Sequence, residues 1–149
     1  MKLRTKRFNK KIPLPRYEKM AAGFDFYCVK DTIIKPSEIK ALPSNIVLEI
    51  PEGCALLVLP RSSTPSRHGL MMPHSIGLID PFYRGDNDEI ILQFYNFTKK
   101  AVKIKKGDKI AQGVLIKYEK VEFEEVDKLN KNGKGKWRKK PGNKFNALL

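Results

Sequence analysis

The sequence predicts an all-β domain, a sandwich or barrel of many short strands, on three observations. Turn-forming residues recur at Pro36-Ser37, Pro43-Ser44, Pro51-Glu-Gly53, Asp86-Asn87 and Lys106-Gly-Asp108. Their spacing, roughly 7 to 20 residues, leaves no room for long helices between them. The segments they bound are rich in β-branched and aromatic residues and alternate apolar with polar, the period of a strand with one face buried. Finally, 149 residues with 41% hydrophobic content make one ordinary domain with its own core.

Taken in order, the N-terminal stretch is basic and carries no apolar segment of the signal-peptide kind. Cys54-Ala-Leu-Leu-Val-Leu59, between Glu52-Gly53 and Pro60, reads as a strand buried on both faces. The only plausible helix is a short one over residues 64–68. Glu89-Ile-Ile-Leu-Gln-Phe-Tyr-Asn-Phe97 reads as a strand with Ile90, Leu92 and Phe94 on one face. Val102 and Ile104 alternate with Lys103 and Lys105, and Val121 and Phe123 with Glu122 and Glu124, so two half-exposed strands are expected there. From Leu129 onward apolar residues thin out, and Asn130-Lys-Asn-Gly-Lys-Gly135 reads as a flexible arm. The expected division is a β domain over 1–127 and a basic, glycine- and lysine-rich arm over 128–149. Cys28 and Cys54 lie in apolar runs, where a thiol behaves as a small hydrophobe, so both are expected free in a reducing, cytoplasmic setting. No apolar run approaches the roughly 20 residues of a membrane span. There is no internal repeat and no zinc-like Cys/His spacing.

The net charge of +14 is concentrated at the ends: residues 1–19 carry +7, residues 128–149 carry +8, and residues 20–127 carry −1. A near-neutral body with two basic tails can steer a polyanion, whether a triphosphate or a nucleic-acid backbone. Lysine-rich ends also serve solubility alone, and charge by itself does not separate these roles.

Four polar islands interrupt the strand pattern: Ala21-Ala-Gly-Phe-Asp25, Pro60-Arg-Ser-Ser63, Gly77-Leu-Ile-Asp-Pro-Phe-Tyr-Arg-Gly85 and Gly107-Asp-Lys-Ile-Ala-Gln112. Each alone reads as an ordinary turn. In this order and spacing, over residues 13–126, they resemble the first four motifs of the trimeric dUTP pyrophosphatase (dUTPase) family. The resemblance implies a jelly-roll β-sandwich, a homotrimer with active sites shared between subunits, and Mg²⁺-assisted hydrolysis of dUTP to dUMP and pyrophosphate.

It also implies roles for single residues. Asp80 corresponds to the carboxylate that takes a proton from water attacking the α-phosphorus. Tyr83 corresponds to the aromatic that packs on the deoxyribose and leaves no room for a 2′-hydroxyl. Residues 72–79, including His74, Gly77, Leu78 and Ile79, correspond to a two-stranded hairpin whose backbone reads the pyrimidine. Arg61, Ser62, Ser63 and Gln112 correspond to phosphate contacts, a guanidinium and hydroxyls being suited to phosphate oxygens. Lys109 stands nearby as a positive neighbour. Asp25 corresponds to a carboxylate near the metal, acting through the water that Mg²⁺ tends to keep.

The sequence departs from the family pattern in three places. His74 stands where the family commonly has Asn, and an imidazole cannot copy both ends of a carboxamide. The fifth motif, a glycine-rich arm that closes over the nucleotide, has its best match in Asn132-Gly-Lys-Gly-Lys-Trp-Arg-Lys-Lys140. There Trp137 replaces the aromatic lid, and cations replace the Gly-Ser-Thr nest. Asp86-Asn87-Asp88 lengthens the loop after Arg84-Gly85 and reads as a solvated turn. Two other functions compete. A related dCTP deaminase needs a carboxylate where Gln93 stands, which argues against it. A non-catalytic module would bind nucleotide or nucleic acid through its basic tails.

Overall fold

The computed structural model describes residues 1–129. The chain divides into a compact unit, Met1–Glu119, and a second unit, Lys120–Leu149. The compact unit is an antiparallel β-sandwich of the jelly-roll type, as expected. Its strands are β1 (Thr5–Arg7), β2 (Arg16–Tyr17), β3 (Phe24–Tyr27), β4 (Thr32–Ile34), β5 (Ile39–Pro43), β6 (Ile46–Leu48), β7 (Cys54–Pro60), β8 (Leu70–Met71), β9 (Gly77–Ile79), β10 (Ile91–Asn96), β11 (Val102–Ile104) and β12 (Lys109–Lys117). One short helix, α1 (Ser63–His68), follows β7.

The largest sheet has the order β2-β3-β12-β7-β9, and a second has the order β5-β10-β8. Two-stranded pairs β1-β6 and β11-β4 complete the fold. Between the sheets lies one core of Phe26, Ile34, Leu56, Leu92 and Phe94, all fully buried. Phe24 and Phe26 meet edge to face with ring centroids 5.4 Å apart, a favoured aromatic geometry. Leu92 and Phe94 of β10, with Ile90 just before it, turn inward together, as their period-2 spacing predicts.

The turns sit where the sequence marks them. Gly53 (φ 74°) and Gly107 (φ 87°) take left-handed backbone at two of them, which glycine does without steric cost. Asn45 (φ 75°) does the same after Pro43-Ser44, and Asn tolerates that region better than most residues.

Two expectations are corrected, and one strand was not anticipated. Val121 and Phe123 form no strand; residues 120–129 lack regular structure, and Phe123 is 93% exposed. Alternation becomes a strand only where an edge supplies hydrogen bonds. Residues 72–79 are not a two-stranded hairpin. Only β9 is a strand there; it pairs with β7, while β8 pairs with β10. Residues 72–76 make a tight turn instead, with Ser75 N–H bonded to Met72 O (3.0 Å) and Ile76 N–H to His74 O (2.8 Å). Pro73 lacks the N–H a ladder needs, and Ser75 is left-handed at φ 65°. The longest strand, β12, does not stand apart from its polar island in the sequence, because Gln112 and Gly113 together interrupt its apolar residues.

No helix among the described residues is long and apolar enough to cross a membrane.

Candidate active site

Three neighbouring strands bring three of the four polar islands together. Asp25 lies on β3 opposite Gln112 of β12, and Gln112 lies opposite Leu59 of β7. Pro60 ends β7, and the chain turns at Arg61 into α1. Asp25, Arg61, Lys109 and Gln112 therefore meet at one end of the large sheet.

The geometry is that of a neutralised carboxylate. Asp25 is buried, with Arg61 Nε 2.9 Å from Oδ1 and Lys109 Nζ 3.0 Å from Oδ2. Lys109 also pairs with Glu18. These hydrogen bonds, first with Glu18 and then with Asp25, hold the Lys109 ammonium above its usual range, so it is a cation at neutral pH. A buried carboxylate flanked by two cations is compatible with its low-dielectric site because its charge is paired. Each oxygen faces a cation, so a metal ligating Asp25 directly would have to compete with Arg61 and Lys109.

The turn at residues 61–64 is built by Thr64. Its buried hydroxyl accepts from Arg61 N–H (3.1 Å) and reaches Ile110 O (3.5 Å), while its own N–H donates to Arg61 O (2.9 Å). This locks the 61–64 turn onto β12. Ser62, at the start of α1, makes no capping bond with its side chain. The Ser62 hydroxyl is exposed and Ser63 is half-buried. Gln112 Nε2 donates to Pro60 O at 3.0 Å, which fixes the carboxamide beside the same turn. Glu18 and Thr64 complete this cluster although neither stands out in the sequence. For Thr64 the available signal is its place directly after Arg-Ser-Ser, where a short hydroxyl can bond back to the backbone.

The fourth island is elsewhere. Asp80 follows β9 and is half-buried, and among the described residues its carboxylate makes no hydrogen bond or ion pair. Tyr83 N–H donates to Asp80 O at 3.1 Å, closing a turn at Asp80-Pro-Phe-Tyr83. The Tyr83 hydroxyl donates to Glu89 O at 2.9 Å. Beside this turn is a cavity of about 270 Å³ lined by Val58, His74, Gly77, Leu78, Ile79 and others. Gly77 forms part of its wall because a Cβ there would lie 3.1 Å from Val58 Cβ. His74 is exposed in the turn above it.

Register decides how the two halves relate. Val58 pairs with Gly77 and Leu56 with Ile79, so Asp80 leaves β9 beside Ala55. Arg61 leaves β7 at the opposite end, about 20 Å away at the usual ~3.3 Å rise per residue. Within one chain, Asp80 and Arg61 do not converge.

Among the described residues no three His, Cys, Asp or Glu side chains cluster as metal ligands. Trp137 and the glycines of the arm lie outside the described residues.

A family model described as dUTPase matches residues 9–138. A deoxyuridine 5′-triphosphate nucleotidohydrolase from Nautilia profundicola is 37% identical over 136 residues, covering 91% of this chain and 94% of the relative. An SPbeta prophage-derived enzyme of that name from Bacillus subtilis is 38% identical, covering 80% of this chain and 85% of the relative. Among solved structures, a dUTPase from Streptococcus mutans superposes with a TM-score of 0.73 at 27% identity, covering 80% of this chain and 98% of that one. A dUTPase of Staphylococcus bacteriophage 80alpha shares the fold with a TM-score of 0.77 at 22% identity, covering 87% and 98%.

Proposed function

The chain belongs to the dUTPase family, and from that premise we propose that it hydrolyses dUTP to dUMP and pyrophosphate, with Asp80 activating the water. Water oxygen forms a bond to the α-phosphorus as its proton passes to the Asp80 carboxylate. The bond from the α-phosphorus to the oxygen bridging it to the β-phosphorus breaks, and its electron pair leaves with pyrophosphate. The observation that carries this reading is the Asp80 carboxylate itself, unpaired among the described residues and next to the β9 cavity. A carboxylate engaged by Arg or Lys would be a poorer base.

The remaining roles follow from what each group offers. Arg61 has donors beyond the Nε used on Asp25, and with Ser62, Ser63 and Gln112 it holds phosphate oxygens and the charge that grows on the leaving group. The backbone of Gly77, Leu78 and Ile79 reads the uracil edge, with His74 adding one bond at the turn. The Tyr83 ring lies against the sugar and excludes a 2′-hydroxyl. Mg²⁺, when bound, would supply charge neutralisation along the triphosphate, and Asp25 is the carboxylate of this cluster that would face its water shell. Asp25, with both oxygens engaged by cations, orients the neighbourhood of that water shell rather than binding the ion.

A homotrimer reconciles the separated halves. In a closed ring each interface is heterologous, so Asp80 of one subunit can face Arg61 of the next. The outer face of the β5-β10-β8 sheet supports such contacts, since Ile39, Ile91 and Met71 are all exposed there. Buried free thiols at Cys28 and Cys54 agree with work in the cytoplasm. The test is pyrophosphate release from dUTP, UTP, dCTP and dTTP with Mg²⁺, in the parent and in Asp80→Asn. Cleavage confined largely to dUTP, with at least about a hundredfold loss in the variant, is expected. Equal rates in parent and variant would remove Asp80 from the chemistry.

A further inference from the structure

Next to the Asp80 turn lies a polar knot that the reading above does not use. Asn45 is 2% exposed and left-handed, and its polar groups are engaged. Its side chain holds the backbone of Asn9 at both ends, with Asn9 N–H to Oδ1 at 2.7 Å and Nδ2 to Asn9 O at 3.0 Å. Its carbonyl accepts from Phe8 N–H at 3.1 Å. Its N–H donates to Glu89 Oε1 at 2.6 Å, a charge-assisted bond of short length.

Glu89 is fixed from its other side as well. Ile90, the next residue, exchanges backbone bonds with the same turn: its N–H donates to Ile46 O and its carbonyl accepts from Ser44 N–H, both at 3.1 Å. The Glu89 carbonyl shares a peptide unit with the Ile90 N–H, so it moves with the 44–46 turn, to which the Glu89 carboxylate on Asn45 is a further tie; this carbonyl is the acceptor for the Tyr83 hydroxyl. The backbone N–H of Tyr83 returns to Asp80 O. The lengthened loop is tied to the N-terminal segment too, through Lys6 Nζ to Asp86 O at 2.7 Å.

We infer that Glu89 is a positioning residue for sugar selection: its carboxylate on Asn45 and its carbonyl on Tyr83 fix the ring that rejects a 2′-hydroxyl. A ring that excludes one oxygen atom works only while it cannot yield. Tyr83 is anchored at its hydroxyl end by one bond and at its backbone by another, and the first depends on where Glu89 is held. Loosening that anchor raises kcat/KM on UTP, whose 2′-hydroxyl presses on the ring, relative to kcat/KM on dUTP, which lacks that group. A purely structural role would instead lower stability and slow both substrates alike.

This inference rests on the assignment of Tyr83 to the sugar, and the experiment separates the two. The full chain is assayed for kcat/KM on dUTP and UTP as parent, Glu89→Ala, Glu89→Gln, Tyr83→Phe and Tyr83→Ala, with Tm measured for each. Glu89→Ala and Tyr83→Phe are expected to lower the dUTP/UTP preference about tenfold, the discrimination one hydrogen bond of ordinary strength supplies. Glu89→Gln, whose amide oxygen still accepts from Asn45, is expected to keep most of it. An unchanged preference in Glu89→Ala, with Tyr83→Ala collapsing it, overturns the positioning role of Glu89 whatever Tyr83→Phe does, while leaving Tyr83 against the sugar. An unchanged preference in Tyr83→Ala overturns both. Should Glu89→Ala not fold, Glu89→Asp, whose shorter side chain withdraws the carboxylate from Asn45 N–H, takes its place with the same expected loss and the same overturning result.

Discussion

Arg61 leaves β7 at one end, and Asp80 leaves its antiparallel neighbour β9 toward the other. A site that needs both must draw them from different copies of the chain. Mixing two defective variants tests this. Asp80→Asn and Arg61→Ala, each nearly inactive alone, should regain about a quarter of parental activity when denatured and refolded together in equal amounts, the share of interfaces that pair an intact Asp80 with an intact Arg61 in a cyclic trimer. A mixture no more active than its components would place both residues in one subunit's site.

Asp25 sits between two cations, each about a third exposed. Asp25→Ala leaves Arg61 and Lys109 facing one another without a counter-charge. The expected loss is about 2–3 kcal/mol in urea unfolding, below the ~3–5 kcal/mol of a fully buried pair because water partly screens both cations. Asp25→Asn keeps the shape and should lose less. Its effect should appear mainly as a weaker response of turnover to Mg²⁺.

Lys109 gives a pH test with a definite sign. Its bonds to Glu18 and Asp25 raise its folded value above the ordinary 10.5. A raised lysine contributes stability that is complete below the unfolded value and is lost as pH rises through the folded one. The Tm gap between parent and Lys109→Met should therefore hold steady from pH 7 toward 10.5 and close above it. A gap that closed already between pH 7 and 9 would contradict the pairing.

Gly113 crosses β12 where Phe24 and Leu56 press in. A Cβ there would lie 2.7 Å from two ring atoms of Phe24 and 3.0 Å from Leu56 Cδ1. Both neighbours are buried and have little room to retreat. Gly113→Ala should cost about 1–3 kcal/mol, the usual range for overpacking, read from denaturant midpoints. Gly53→Ala separates steric crowding from backbone strain, because nothing lies within 4 Å of a Cβ there and only the positive φ opposes it.

Much of the site was legible because its residue types are tied to short, ordered islands. Asp25, Arg61 and Gln112 do meet, and the all-β class follows from turn spacing and alternation. What stayed illegible depends on pairing. Glu18 and Thr64 join the cluster only because β3, β12 and β7 lie side by side, and Glu89 reaches Asn45 across 44 positions of sequence. The hairpin expected at residues 72–79 rests on the family resemblance, and the local sequence carries no sign that β9 joins β7 while β8 joins β10. The alternation at Val121 and Phe123 describes a strand in search of an edge, which local pattern alone does not provide.

Asp25 is bracketed in β3 by Phe24 and Phe26, whose rings touch inside the core. The cluster of Asp25, Arg61 and Lys109 thus has no foundation of its own; it stands on the same aromatic pair that holds the sheets together. Warming this protein should not produce an intermediate that has kept its fold but forgotten its ligand. Recognition and compactness should vanish in a single melting event.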